Sequence, residues 1–134
     1  MTETVGRVTI DVPFHDVDAL RIVWHGHYLK YFEIARTELF RSKGLDAAEL
    51  DRMGVWFVVV ESRCRHTRPL RIGDRASVEA RFLPNQRLPT VVYRIRNETN
   101  GEVCARGRTV LAPVDARDGT MIELPPMLRE RTDG

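Results

Sequence analysis

Between Phe14 and His27 the chain gathers His15, Asp16, Asp18, His25 and His27 in a stretch with no regular apolar period. A carboxylate there can act as a general base on water or as a nucleophile on a carbonyl carbon. An imidazole can hold or orient a proton near neutrality. Asp18 is the candidate carboxylate, although an Asp in a loop also accepts backbone N–H bonds as Asx turns do. His25, seven residues later, is the candidate partner, since its ring could orient water or a carbonyl group just ahead of a helix. The N–H groups of His25, Gly26 and His27 are expected to point out of that helix start. Unpaired donors and the helix dipole together suit a developing negative charge on oxygen. Gly26 has no side chain to obstruct a carbonyl approaching them.

Metal binding is the rival chemistry for these residues. His25-Gly26-His27 does not set two rings on one helical face, as a zinc-binding His-Glu-x-x-His does. Cys64-Arg65-His66 puts Cys64 and His66 on one face of a strand, where a small core thiol is the default. No metal and no cofactor are expected.

The elements that must hold these groups follow from the spacing of apolar residues. Arg7 to Val12 reads as a short strand ended by Pro13. From Tyr28 the pattern turns helical: Tyr28, Tyr31, Phe32, Ala35 and Leu39 share a face that Leu29, Ile34 and Phe40 widen, and Gly44 supplies the stop. Glu33 and Arg36 lie three apart on this helix and are expected to be buried and hydrogen-bonded if a sheet wraps it. Asp46 to Met53 suggests a short second helix. Trp56 to His66 is rich in β-formers, and its Trp-Phe-Val-Val-Val start predicts burial on both faces. Arg75 to Phe82 alternates, with Ala76, Val78, Ala80 and Phe82 inward. Thr90 to Asn97 places Val91, Tyr93 and Ile95 on one face. Asn100-Gly101 predicts a hairpin in which both residues take positive φ, and Val103 to Val114 returns as the partner strand. The tail beyond Pro125-Pro126 reads as frayed.

The order is strand, functional loop, one long helix, then four antiparallel strands, an α+β layout. At 134 residues this is one domain, residues 1–134 with a core over about 7–114. Hydrophobic residues at 43% and charged residues at 30% fit an ordinary globular protein. No secretory signal and no run of about 18 apolar residues stands out, so a cytoplasmic location with no membrane partner is expected. In that setting Cys64 and Cys104 are expected to be reduced. Of the 21 basic residues only Lys30 and Lys43 are lysine, so arginine carries nearly all the positive charge. Codon bias is the plain reason, and clamping of phosphates or carboxylates the sharper one. Arg alternates with Glu and Asp and no aromatic-plus-basic stripe appears, so nucleic acid is not an expected partner.

The segment Phe14-His15-Asp16-Val17-Asp18 through His25-Gly26-His27-Tyr28 to Glu33-Ile34-Ala35-Arg36-Thr37-Glu38 resembles the 4-hydroxybenzoyl-CoA thioesterase family of hotdog proteins. It looks closest to the acyl-CoA thioesterases associated with the bacterial Tol-Pal genes. Arg68-Pro69-Leu70-Arg71-Ile72-Gly73-Asp74 resembles the family's approach to its third strand. The likeness spans about residues 8–112. It implies a hotdog fold, a curved antiparallel sheet of about five strands around one long helix. It further implies hydrolysis of an acyl-CoA or acyl carrier protein thioester, with Asp18 matching the catalytic Asp and His25 the active-site His. Gly26, His27, Tyr28 and Trp24 are the expected substrate-binding residues; Trp24, Tyr28, Trp56 and Phe57 read equally well as core. The chain departs from the family at Arg21, where Gly is usual, and at His27, where Asn is usual. The resemblance implies a homodimer or homotetramer with each active site between subunits, as does a sheet with an unpaired edge. The rival readings are a hotdog module that binds acyl-CoA without cleaving it, against which Asp18 argues, and a hotdog dehydratase, whose acidic residue and His are arranged differently.

Overall fold

The two strands that flank the functional loop and its helix end up on opposite edges of one sheet, so the helix has to cross the sheet's whole face. In chain order the elements are β1 (Gly6–Asp11), α1 (His27–Ser42), α2 (Ala47–Met53), β2 (Val55–His66), β3 (Arg75–Phe82), β4 (Thr90–Asn97), β5 (Val103–Asp115) and α3 (Pro126–Arg131). The structure is a computed structural model and describes residues 5–134. The strands form one antiparallel sheet in the order β1-β3-β4-β5-β2. One long helix against a five-stranded antiparallel sheet is the α+β layout that the spacing predicts and the hotdog architecture that the resemblance implies.

The helical face behaves as its spacing dictates: Tyr28, Tyr31, Phe32, Ala35 and Leu39 are all buried. Opposite them lie Ala76, Val78, Ala80, Phe82, Val91 and Ile95 at essentially zero exposure. Each large side chain in such a core contributes roughly 1.5–3 kcal/mol of transfer free energy. Contact is close enough that two positions tolerate only glycine. A Cβ on Gly6 would lie 2.4 Å from the Leu39 backbone nitrogen, and one on Gly107 would lie 2.2 Å from the Phe32 ring. Phe32 stacks on Tyr93 at 4.4 Å between ring centres.

Several expectations need correction. Leu29 and Ile34 do not widen the buried face but stand 46% and 42% exposed, because the sheet covers only one side of α1. β2 is not buried on both faces: it is an edge strand, with Trp56, Val58, Val59 and Val60 between 41% and 51% exposed. In the 97–103 hairpin only Gly101 takes positive φ, at 77°. The loop is longer than a two-residue turn, closed by Gly101 N–H to the Asn97 carbonyl at 2.7 Å. Glu33 is exposed and does not pair with Arg36, whose guanidinium donates to the Tyr93 hydroxyl at 3.0 Å. The tail is not frayed through 126–131. There α3 buries Leu128 against Leu45, Leu50 and Val55, a small second core. The sequence hid this because one leucine among Arg and Glu carries no visible period.

Candidate functional site

The loop ahead of α1 is built from two turns with different purposes. Residues Phe14–Asp16 make one turn of 3-10 helix, and isolated bridges join Val17 to Val23 and Ile22 to Arg71. Val23 N–H donates to the Leu70 carbonyl at 2.8 Å, and Val12 N–H to that of Asp74 at 2.9 Å. The 68–74 segment is thus the wall on which the loop is laid. Asp74 holds that wall to the sheet by accepting from Asn97 Nδ2 and from Arg71 N–H.

Asp16 is buried, with both carboxylate oxygens engaged. Its carboxylate accepts from Lys30 Nζ and from the Tyr31 hydroxyl, each at 2.7 Å, with His15 and His27 rings at 3.6 and 3.8 Å. Burial pushes this carboxyl up, but the bonds from Lys30 and Tyr31 and the charges of Lys30 and His27 outweigh it and hold it below the usual carboxylate range. The same contact, with burial, drives the Tyr31 phenol well above its ordinary value.

Asp18 sits two residues on and is only partly buried. Its Oδ1 accepts from Leu20 N–H at 2.8 Å, while Oδ2 has no hydrogen-bond partner among the described residues. The backbone closes tightly around it: Asp18 N–H donates to Ile22 and Arg21 N–H donates to Asp18, both at 2.9 Å. Arg21 completes this turn at φ 63°, the left-handed region that favours glycine.

At the start of α1 the expected donors divide. His27 N–H is already engaged by the Trp24 carbonyl at 2.9 Å, and Tyr28 N–H by that of His25 at 3.3 Å, so His27 does not join an outward pair. The N–H groups of His25 and Gly26 have no partner among the described residues. A second feature of the structure also favours glycine at position 26. Its missing Cβ would lie 2.2 Å from the Trp24 indole, so a neighbouring ring fills that space. Trp24 is half exposed and also contacts the rings of His25 and His27.

Two residues enter this site that sequence reasoning did not select. One is Asp16, quoted within the family motif and weighed as a metal ligand but given no role of its own. The other is His66, whose ring lies 4.7 Å from that of Tyr28 and 6.3 Å from that of His25. Burial and the nearby His25 both lower the His66 pKa, favouring the neutral ring. Strand alternation already put His66 on the face of Cys64, which was the available signal. Burial raises the Tyr28 phenol to about 12 despite a bond from the Leu70 backbone, and raises the Cys64 thiol to about 11. Cys64 and Cys104 are both free thiols. Trp56 and Phe57 lie at the other end of β2, beside Phe40 and Leu50. Among the described residues no group of three or more His, Cys, Asp or Glu side chains is arranged to hold a metal ion. No described helix is long and apolar enough to cross a membrane.

Comparison with known proteins places this arrangement in context. Residues 12–132 match the model of the thioesterase-like superfamily. A Synechocystis protein named provisionally as an esterase is 32% identical over 97% of this chain and 80% of its own length. The acyl-CoA thioester hydrolase YbgC of Escherichia coli is 29% identical over 75% of each chain. The solved structure of a DHNA-CoA thioesterase from Staphylococcus aureus superimposes with a TM-score of 0.81, at 22% identity over 90% of this chain and 80% of that one.

Proposed function

The chain belongs to the thioesterase-like superfamily, and from that premise we propose that it hydrolyses the thioester of an acyl-CoA, or of an acyl carrier protein, with Asp18 as the reacting carboxylate. The observation that carries the assignment is the contrast inside the loop: both oxygens of buried Asp16 are engaged, by Lys30 and Tyr31, while partly buried Asp18 keeps Oδ2 without a partner among the described residues. As a general base, Asp18 takes a proton from water as the water oxygen attacks the carbonyl carbon. The carbonyl oxygen becomes an oxyanion facing the His25 and Gly26 N–H groups. The C–S bond then breaks and the thiolate leaves, taking up a proton. As a nucleophile, Asp18 attacks the carbonyl itself, and water cleaves the resulting anhydride. Single turnover in 18O-water identifies an anhydride that water opens at the Asp18 carbonyl, since only that route leaves label in the Asp18 carboxylate, whereas general-base attack puts all of it in the acid product.

The active assembly is a dimer through β2. That strand has an unpaired edge and four half-exposed apolar residues, Trp56, Val58, Val59 and Val60. Two copies related by a two-fold axis would pair antiparallel. The His66 end of one β2, beside Tyr28 and His25, would then meet the Trp56 end of its partner. This reading gives Trp24, Tyr28, Trp56 and Phe57 a place around the acyl group. A thiol-release assay over a panel of acyl-CoA and acyl carrier protein thioesters tests the reaction. Turnover by wild type and its loss in Asp18→Asn support the assignment. Stoichiometric binding without turnover on every substrate would leave a binding module instead.

A further inference from the structure

The convex face of the sheet, turned away from α1, carries a second group of residues that hydrolysis does not use. Gly107 points its missing Cβ at Phe32, so Gly107 and its cross-strand partners Tyr93 and Cys64 face the helix. Their neighbours along each strand therefore face outward. Register then aligns three arginines side by side across adjacent strands, Arg65 opposite Arg106 and Arg106 opposite Arg94. In the next row Arg63 stands opposite Arg108.

Like charges directly opposed on neighbouring strands destabilise a sheet. Two of these five arginines are compensated: Arg63 pairs with Glu61 and Arg94 with Glu79, each at 2.9 Å. The side chains of Arg65, Arg106 and Arg108 have no hydrogen-bond or ion-pair partner among the described residues. The Nε of Arg108 is buried and makes no hydrogen bond. These residues surround an open hollow of about 500 Å³ whose floor is Gly107 and Cys64. A second hollow of about 300 Å³ adjoins it, sharing Arg106 and Gly107 and reaching Arg94.

We infer that Arg65, Arg106 and Arg108 form an anion site for a small polyphosphate, of the kind carried by the nucleotide end of CoA. Planar guanidinium forks match phosphate oxygens in pairs, and an arginine cluster can neutralise several charges at once. A bound polyphosphate would also cancel the cross-strand repulsion that the empty face has to bear. Two sources offer this chemistry: the phosphates of the CoA substrate itself, or a separate nucleotide bound as an effector. The first rests on the thioesterase reading and the second stands without it.

The test pairs direct binding with kinetics on wild type and Arg65→Gln/Arg106→Gln. Calorimetric titration with CoA and with ADP should show binding that weakens at least tenfold in the double variant. Pantetheine, which has no phosphate, should show no such difference. CoA should raise the melting temperature of wild type more than that of the variant, while without ligand the variant should melt no lower, its repulsion being relieved. If the substrate's own phosphates occupy the site, KM for acyl-CoA rises by a similar factor while KM for the matching acyl-pantetheine does not. If an effector occupies it, ADP binding is lost and KM for acyl-CoA is unmoved. CoA and ADP affinities equal in both proteins, with KM also equal, would overturn the site. Because titration needs no turnover, that result is distinguishable from failure of the hydrolase assignment.

Discussion

Asp16 and Asp18 lie two residues apart on one loop, yet the fold treats them in opposite ways. Asp16 is 1% exposed and ties the loop to α1 through Lys30 and Tyr31. Asp18 is held by its backbone and by Leu20 N–H on Oδ1, and its other carboxylate oxygen stays open. Both oxygens of Asp16 are committed inside the loop, and its burial leaves little access for a further proton donor. On the proposed function the loop would thus separate anchoring from reactivity: Asp16 fixes where the turn sits, and the open oxygen of Asp18 is left for the substrate.

The largest effect should come from breaking the reactive half. Asp18→Asn is nearly isosteric and should lower kcat by at least about a hundredfold, the scale of losing a general base. Its urea midpoint should stay close to wild type. Turnover near the wild-type level on the best thioester would move the chemistry elsewhere. His25→Ala should cost less, because the backbone donors remain. A loss matching that of Asp18→Asn in a folded variant would give the proton transfer to His25.

Breaking the anchoring half should show first in stability. Asp16→Ala leaves the Tyr31 hydroxyl buried without its partner, a cost of about 1–3 kcal/mol measurable by urea denaturation. A change within a few tenths of a kcal/mol would mean the network does not anchor the loop. Acid should do the same thing reversibly. The folded-state pKa of Asp16 is depressed below its ordinary 3.8. Its contribution to stability is therefore complete above the ordinary carboxylate range and is lost as pH falls through the lower folded value. The stability gap between wild type and Asp16→Ala should narrow across that acid window. A gap that widens toward low pH would reverse the sign of the assigned shift.

Most of the fold was legible because periodicity reports burial directly. The five helix residues chosen by spacing are the five that are buried, and β3 and β4 occupy the predicted spans. What failed was what depends on neighbours. An apolar run such as Trp56 to Val60 looks the same whether its cover comes from the same chain or from another copy. Leu128 reads as a stray leucine until Leu45, Leu50 and Val55 surround it. In the site, the motif located the loop and the helix start but not the division of labour between the two aspartates. Burial of Asp16 depends on Lys30 and Tyr31 reaching back across the loop, which spacing does not reveal. Nor could it show that Trp24 lies on Gly26, since no pattern fixes a tryptophan rotamer.

The smallest predicted effect concerns the turn that presents Asp18. Arg21 sits at φ 63°, and its N–H closes the turn onto the Asp18 carbonyl at 2.9 Å. A side chain in that conformation costs roughly 1–2 kcal/mol against the right-handed region. Glycine escapes the clash but gives back about 0.5–1 kcal/mol through the greater freedom of its unfolded chain. Arg21→Gly should thus stabilise by up to about 1.5 kcal/mol, whereas Arg21→Ala keeps the Cβ and should gain nothing. The pair separates backbone from guanidinium: Ala and Gly both lose the charge, but only Gly relieves the strain. If acyl-CoA KM rises equally in both variants, the guanidinium touches substrate at the pocket mouth. A Gly variant no more stable than the Ala variant would mean that the backbone at Arg21 is not strained and that the turn holding Asp18 takes another conformation.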